Sequence, residues 1–367
     1  MARRGFEAAS DGSAARGDKL KEFEAIVERV RGSPLEMANV ARTLLLPKGQ
    51  AESAMALCDK AVALAPGDGE IRAIRAEVFS KGVGHWYFST LRDEARHAIY
   101  DRVLRRALAA GGRVLEIGAG TGLFAMMAAR AGADEVITCE RRPAVARAAQ
   151  AVIARNDLAE TVRVVGKAST ELEIGVDLTG QADVLLWDNL ANDMMGAGAL
   201  PALEDAMRRL VKPGGQVIPA RCAIMAALAE DRELDSRVLG DVEGFDLSPF
   251  NAVGQPVYTH RTSSEVLAIR SSAATLFDFD FRTGGPFPAG RASATVVGSG
   301  GHANGVVQWL RFGIDDSEEY RPEPGAQAWA FGLEFRSVAA PFEAAQGAAF
   351  VLNASHDREH LRIWLEG

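Results

Sequence analysis

Val114–Gly122 reads VLEIGAGTG, an apolar run ending in glycines at every second position, and LFAMMAAR follows at Leu123–Arg130. Four apolar-rich residues bounded by glycine suit a short buried strand, and the alanine-rich segment behind it suits a helix. The same alternation extends to both sides. EVITCE, TVRVVGKA, ADVLLWDN and GGQVIPAR are further short runs rich in Val, Ile and Leu, separated by RPAVARAAQAVIARND and LPALEDAMRRLVKPG. Strand and helix in turn predict a parallel sheet covered on both faces. Upstream, HWYFSTLRDEARHAIYDRVLRRALAAG reads as a continuous amphipathic helix leading into it.

Beyond residue 220 the period changes. AIMAALAE, VLAIRSS, TLFDFDF, SATVVGSG, VVQWLRFGID, AWAFGLEF, GAAFVLNAS and LRIWLEG are short strands punctuated by turns, which predicts an antiparallel barrel or sandwich. Residues 1–17 read as a polar tail. Residues 18–84 read as helical, and Ala54, Ala61 and Pro66 followed by Ala76 and Phe79 have the small-residue spacing of a tetratricopeptide-like repeat. The predicted organisation is therefore α/β plus all-β: a tail, a small helical domain at 18–84, a Rossmann-like sheet at 85–220 and an antiparallel domain at 221–367.

Lys and Arg total 41 against 49 Asp and Glu, a net charge of -8 with no long basic run, which gives no reason to expect nucleic acid or an anionic membrane as partner. No stretch approaches the roughly 18 apolar residues of a membrane span. Cys58, Cys139 and Cys222 lie far apart and form no metal-type pair, so free buried thiols, no metal and a cytoplasmic location are expected.

The glycine turn, taken together with the acidic residues around it, points to the cofactor. A dinucleotide would use G-x-G-x-x-G, whereas Gly118, Gly120 and Gly122 follow G-x-G-x-G, the spacing of an S-adenosylmethionine turn. Glu116, two residues before the first glycine, would repel a pyrophosphate and accept a sulfonium or ammonium. Glu140 closes the next strand, where a carboxylate can take both ribose hydroxyls.

The order LRDEARHAIY, VLEIGAGTGLFAMMAARAGADEVITCE, GKASTEL and GAGALPALEDAMRRLVKPGGQVIPARC resembles the protein arginine methyltransferases, over residues from about 85 to 367. The helical N-terminus is similar to the branch that carries tetratricopeptide repeats. From this resemblance, Arg96 would pair with the methionine carboxylate of the donor, and Ala168 and Ser169 would lie against adenine. Residues 229–255, with EDR and GFDLS, resemble the family's dimerisation arm, implying a homodimer.

The acceptor loop departs from the family. Its first glutamate falls on Asp188, its second on Ala197, and the family's His-Trp pair reads Ala328-Trp329. A guanidinium is charged at working pH, and breaking one half of a buried charge pair costs about 3–5 kcal/mol, or more than about 10²-fold in rate. Asp193 could restore a two-carboxylate clamp with Asp188, or Asp188, Asn189 and Leu190 could cradle a less basic nitrogen. Asp193 could equally cap the following helix. Trp187 and Trp329 could wall the acceptor or pack in the core. The acceptor is expected to be a nitrogen, in a peptidyl arginine or a small guanidino or amine compound, with Asp188, Asp193 and Trp329 as catalytic candidates. The alternative is a donor-binding module working through its helical N-terminus, which would be favoured if Met194 or Met195 filled the acceptor space.

Overall fold

A computed structural model describes residues 28–84, 86–188, 190–196, 198–254 and 257–366. The expected tail at 1–17, residues 18–27 of the expected helical segment, and the positions His85, Asn189 and Ala197 lie outside them. The chain divides into two compact units, residues 1–85 and 86–367.

In the first unit, α1 (Pro34–Val40) runs into a π-helical turn, Ala41–Leu45, and is followed by α2 (Ala51–Leu64) and α3 (Gly69–Gly82). Asp68 starts α3 by accepting from the N–H groups of Glu70 at 2.8 Å and Ile71 at 3.1 Å. Met37, Ala38, Ala54, Met55, Ala61, Ile71 and Val78 form the buried face. Ala54 and Ala61 thus pack as small residues between helices, whereas Ala76 is exposed.

In the second unit, the expected continuous helix is broken. Trp86–Ser89 makes one helical turn, Thr90–Arg92 is 3-10, and α4 runs Glu94–Ala107. Asp93 is the cause: its carboxylate accepts from the Arg96 N–H at 3.1 Å and restarts the helix as an N-cap. The parallel sheet comprises β1 (Arg113–Ile117), β2 (Glu135–Cys139), β3 (Val162–Val165), β4 (Ala182–Trp187) and β5 (Val211–Ile218) in the order β3-β2-β1-β4-β5. The intervening helices are α5 (Leu123–Arg130), α6 (Pro143–Arg155) and α7 (Ala199–Arg209). The order reverses between β1 and β4, so their carboxyl ends open a crevice there. Pro213-Gly214-Gly215 lies within β5, where the pairing with β4 shifts register.

The antiparallel half contains β6 (Arg221–Asp231), a hairpin of β7 (Asp241–Val242) and β8 (Phe245–Asp246), β9 (Val257–His260), β10 (Leu267–Ile269) and β11 (Ala274–Asp280). It continues through β12 (Gly290–Val297), β13 (His302–Gly313), β14 (Glu319–Tyr320), β15 (Leu333–Glu343), β16 (Ala349–His356) and β17 (Leu361–Leu365). Its larger sheet follows β10-β6-β13-β15-β9, with β11 on β6 and β14 on β13, and its smaller one β12-β16-β17. AWAF, expected to open a strand, precedes β15 as a bend. Among the described residues a large hydrophobic core runs through both halves, joining Leu115, Leu186 and Trp187 to Phe281, Ile224 and Phe312, and a smaller cluster around Met225, Trp309 and Phe335 lies within the antiparallel half. Among the described residues no helix is long and apolar enough to cross a membrane, and no group of acidic, His and Cys side chains could hold a metal.

Candidate active site

The turn after β1 is built on backbone conformations that L side chains rarely adopt. Gly118, Gly120 and Gly122 have φ of 89°, 52° and 81°. The Gly118 and Ala119 N–H groups donate to the Cys139 carbonyl at 2.9 and 3.0 Å, tying the turn to the end of β2. The Glu140 carboxylate accepts from Gly120 N–H at 3.4 Å and from Arg142 N–H at 3.0 Å. A cavity of about 810 Å³ opens over this turn, within the usual size of a small-molecule site. Arg96, Glu116, Gly118, Gly120, Glu140, Ala168, Ser169 and Asp188 all line it. Gly122 does not; it is the N-cap of α5, with its N–H on the Ala119 carbonyl at 2.6 Å.

Glu116 is buried and accepts from the Thr138 hydroxyl at 2.5 Å. Burial pushes its pKa up to about 8, so it is mostly neutral at pH 7. The expectation that its charge selects against a pyrophosphate is corrected accordingly: the glycine spacing and Glu140 carry that distinction.

At the carboxyl end of β4, Asp188 faces the cavity with both oxygens engaged. One is ion-paired with the Arg96 guanidinium, and the other accepts from the Tyr100 hydroxyl at 3.0 Å. Arg96 and Tyr100 stand four residues apart on α4 and therefore share a face. The Arg96 guanidinium lies 4.9 Å from the Phe124 ring centroid, 5.3 Å from Tyr100 and 5.8 Å from Phe331, and its buried Nε has no partner. Burial raises the Tyr100 phenol to about 12, which keeps its proton on the hydroxyl that Asp188 needs. Burial also lowers His97, which lines the same wall, so it is neutral there.

Behind this pair is a second carboxylate. Asp93 accepts from the Tyr320 hydroxyl at 2.5 Å and from the N–H groups of Trp329 at 2.7 Å and Ala330 at 3.1 Å. Burial alone would raise its pKa, but these donors and the Arg96 N–H together hold it below the ordinary range. Asp93 thus ties the start of α4 to β14 and to the segment whose Phe331 faces Arg96.

The remaining catalytic candidates are not brought together. Asp193 lies off the cavity wall and accepts from the Met195 N–H at 3.0 Å, its pKa raised by burial with Arg336 opposing. The two-carboxylate clamp expected from Asp188 and Asp193 is therefore not formed. Trp329 is 37% exposed, away from the wall, beneath the Arg261 guanidinium at 5.0 Å. Trp187 is fully buried against Phe281 in the core, at a centroid distance of 4.5 Å. Met194 is also core, whereas Met195 reaches the wall without closing the cavity. Asn192, not singled out from sequence, lines the cavity and anchors the loop: its carbonyl accepts from the Gln308 amide at 2.9 Å and its Oδ1 from Gly332 N–H at 3.0 Å.

A family model described as ribosomal protein L11 methyltransferase (PrmA) matches residues 100–226. The arginine N(omega)-methyltransferase of Streptomyces achromogenes subsp. streptozoticus is 33% identical over 273 residues, covering 71% of this chain and 74% of that protein. The chain belongs to the arginine methyltransferase family. Protein arginine N-methyltransferase 7 of Danio rerio is 32% identical over 252 residues, 62% of this chain but 36% of that relative. This chain therefore spans about a third of its length. The solved Trypanosoma brucei PRMT1 enzyme-prozyme heterotetrameric complex with AdoHcy superposes with a TM-score of 0.67 at 17% identity, over 77% of this chain and 94% of that one. PRMT6-SAH gives 0.58 at 16% identity, over 76% and 98%. These confirm the arrangement of methyltransferase sheet followed by antiparallel barrel. This arginine methyltransferase family member is an S-adenosylmethionine-dependent N-methyltransferase, and a binding module without catalysis is not favoured.

The wall fits that donor. Glycines keep Cβ atoms out of the turn, where one on Gly120 would stand 3.7 Å from the Tyr87 ring. Glu140 offers a carboxylate for a diol, and the buried cation of Arg96, with an unpartnered Nε, suits an amino-acid carboxylate.

Proposed function

We propose that the acceptor is the guanidino group of arginine, taken first as the free amino acid, and that Asp188 holds it. The observation that carries this reading is Asp188 at the β4 end, facing the cavity, its second oxygen oriented by Tyr100. The relative matched along most of its length is named for arginine, which supports the free amino acid. The relatives named for protein arginine support a peptidyl arginine as the second reading.

The donor supplies an electrophilic methyl group. Gly118 and Gly120 admit it to the turn, Glu140 takes its ribose, Ala168 and Ser169 flank its adenine, and Arg96 receives its carboxylate. Asp188 orients the nucleophilic nitrogen, and the neutral Asn192 amide lines the same cavity without adding a charge. A single carboxylate localises the guanidinium lone pair less than two would, so turnover of arginine is expected to be slow. Asp193 and Trp329 stay outside this scheme.

The chain is further inferred to act as a homodimer through its arm, where Phe245, Phe250 and Val253 are 70%, 67% and 73% exposed. Three buried unpaired cysteines support a reducing, cytoplasmic setting. In residues 28–84 the buried Ala54 and Ala61 support a tetratricopeptide-like reading, and the exposed Ala76 speaks against it.

Methyl-labelled donor incubated with L-arginine, agmatine and a macromolecular cell fraction separates the readings. Label recovered as a methylarginine from the free amino acid supports the first reading. Label released as methylarginine only after hydrolysis of the macromolecular fraction supports the second, label in agmatine alone keeps the guanidino group but overturns arginine, and label in none of the three overturns the guanidino acceptor.

A further inference from the structure

The acceptor carboxylate already carries a guanidinium, and it belongs to the protein. Arg96 is 3% exposed and ion-paired with Asp188, caged by the rings of Tyr100, Phe124 and Phe331. A buried cation does not leave its carboxylate unless another anion takes it, since uncompensated burial costs more than the exchange gains. Nor can an incoming guanidinium share Asp188 easily, because its second oxygen is committed to Tyr100. The other carboxylates on the wall are not substitutes: Glu140 is engaged with two backbone N–H groups at the ribose end, and Glu116 is held mostly neutral.

We infer that Arg96 is a positioning residue that couples the two substrates: it passes from Asp188 to the amino-acid carboxylate of the donor, and only then is Asp188 released to a cationic acceptor. The inference rests on the proposed contact between Arg96 and the donor carboxylate. Each guanidinium faces one carboxylate once both ligands are bound. One buried pair, Arg96 with Asp188, becomes two pairs, Arg96 with the donor and Asp188 with the acceptor. The local geometry suits the exchange, since Nε of Arg96 has no partner to lose and the three rings can hold the guanidinium plane by stacking. Tyr100 keeps Asp188 oriented meanwhile. The order of binding is then donor first, and by linkage a cationic acceptor must in turn tighten the donor.

The test compares two ligands that differ in the carboxylate: S-adenosylhomocysteine, and methylthioadenosine, which lacks the amino-acid group. In the wild-type protein, calorimetry should show L-arginine binding about ten-fold tighter with S-adenosylhomocysteine present and unchanged with methylthioadenosine. In Asp188→Asn, where Arg96 has no anion to leave, S-adenosylhomocysteine should bind about five-fold tighter while methylthioadenosine is unaffected. Unchanged or weaker S-adenosylhomocysteine binding in a folded Asp188→Asn overturns the exchange; should that variant not fold, equal arginine affinity with both ligands in the wild type does so. Failure of the underlying reading has its own signature. If Arg96→Met leaves the ratio of the two nucleoside affinities unchanged, Arg96 does not receive the donor carboxylate; if arginine never binds while Asp188→Asn tightens S-adenosylhomocysteine, the acceptor is wrong and the exchange stands.

Discussion

Individual side chains here are set by what surrounds them more than by their own chemistry. Glu116 is a glutamate by sequence and a neutral hydrogen-bonded group by environment, with a pKa of about 8. Its folded value lies above the unfolded one, so the folded state holds the extra proton between about pH 4.5 and 8. Stability from this group is therefore full below pH 4.5 and declines as pH rises to 8. Glu116→Gln, which keeps the shape without a charge to bury, should raise Tm at pH 9 by on the order of 2–6 °C and flatten the decline above pH 5. Thermal melts across that range check it, and identical profiles would refute the buried neutral acid. The residue scale also separates the glycines. Gly122 has φ of 81° and would place a Cβ 3.1 Å from Ile153 Cδ1, yet is not on the cavity wall. Gly122→Ala should cost about 1–3 kcal/mol of stability and leave S-adenosylhomocysteine affinity nearly intact, measured by denaturant unfolding and calorimetry.

Elements meet at the site through a few polar knots. Asp93 gathers the N-terminus of α4, the Tyr320 hydroxyl of β14 and the N–H groups of Trp329 and Ala330. The Arg102–Glu318 pair at 2.8 Å and the Arg106–Asp315 pair at 2.6 Å bind the same helix to the same part of the barrel, but on the surface, where such pairs contribute little. Tyr320→Phe removes a buried donor from Asp93 and should cost about 1–3 kcal/mol, with a matching fall in Tm. An unchanged melt would mean the three backbone donors suffice. The break in the helical run at Asp93 departs from the helix expected there, and the barrel partners that hold its carboxylate are more than 220 residues away along the chain.

For the 86–367 body as a whole, one core unites the parallel sheet and the barrel, and the arm stands on its surface with an apolar face. The arm's root is fixed: Asp231, fully buried, takes the Arg237 guanidinium at 3.0 Å and the His260 ring at 3.1 Å. A rigid root with exposed Phe245 and Phe250 matches the inferred role of joining two copies. Phe250→Glu should shift the protein from dimer to monomer in light scattering after gel filtration. Monomer already in the wild type would refute the arm as a dimer contact.

Sequence by itself determined the strand–helix alternation of the parallel sheet, the run of strands after it, the donor turn and the family, because strand–glycine–helix alternation and G-x-G-x-G spacing are local and are set by backbone sterics. It also located Arg96, Glu140 and Asp188 on the cavity, since each stands at a helix start or strand end whose position follows from the fold. Tertiary structure decided the rest. Whether Glu116 is charged depends on burial, whether Asp193 faces acceptor or barrel depends on how Gln308 and Gly332 hold Asn192, and whether Asp188 is free depends on Arg96 across the cleft. Those are long-range contacts and desolvation, which no local spacing along the chain encodes.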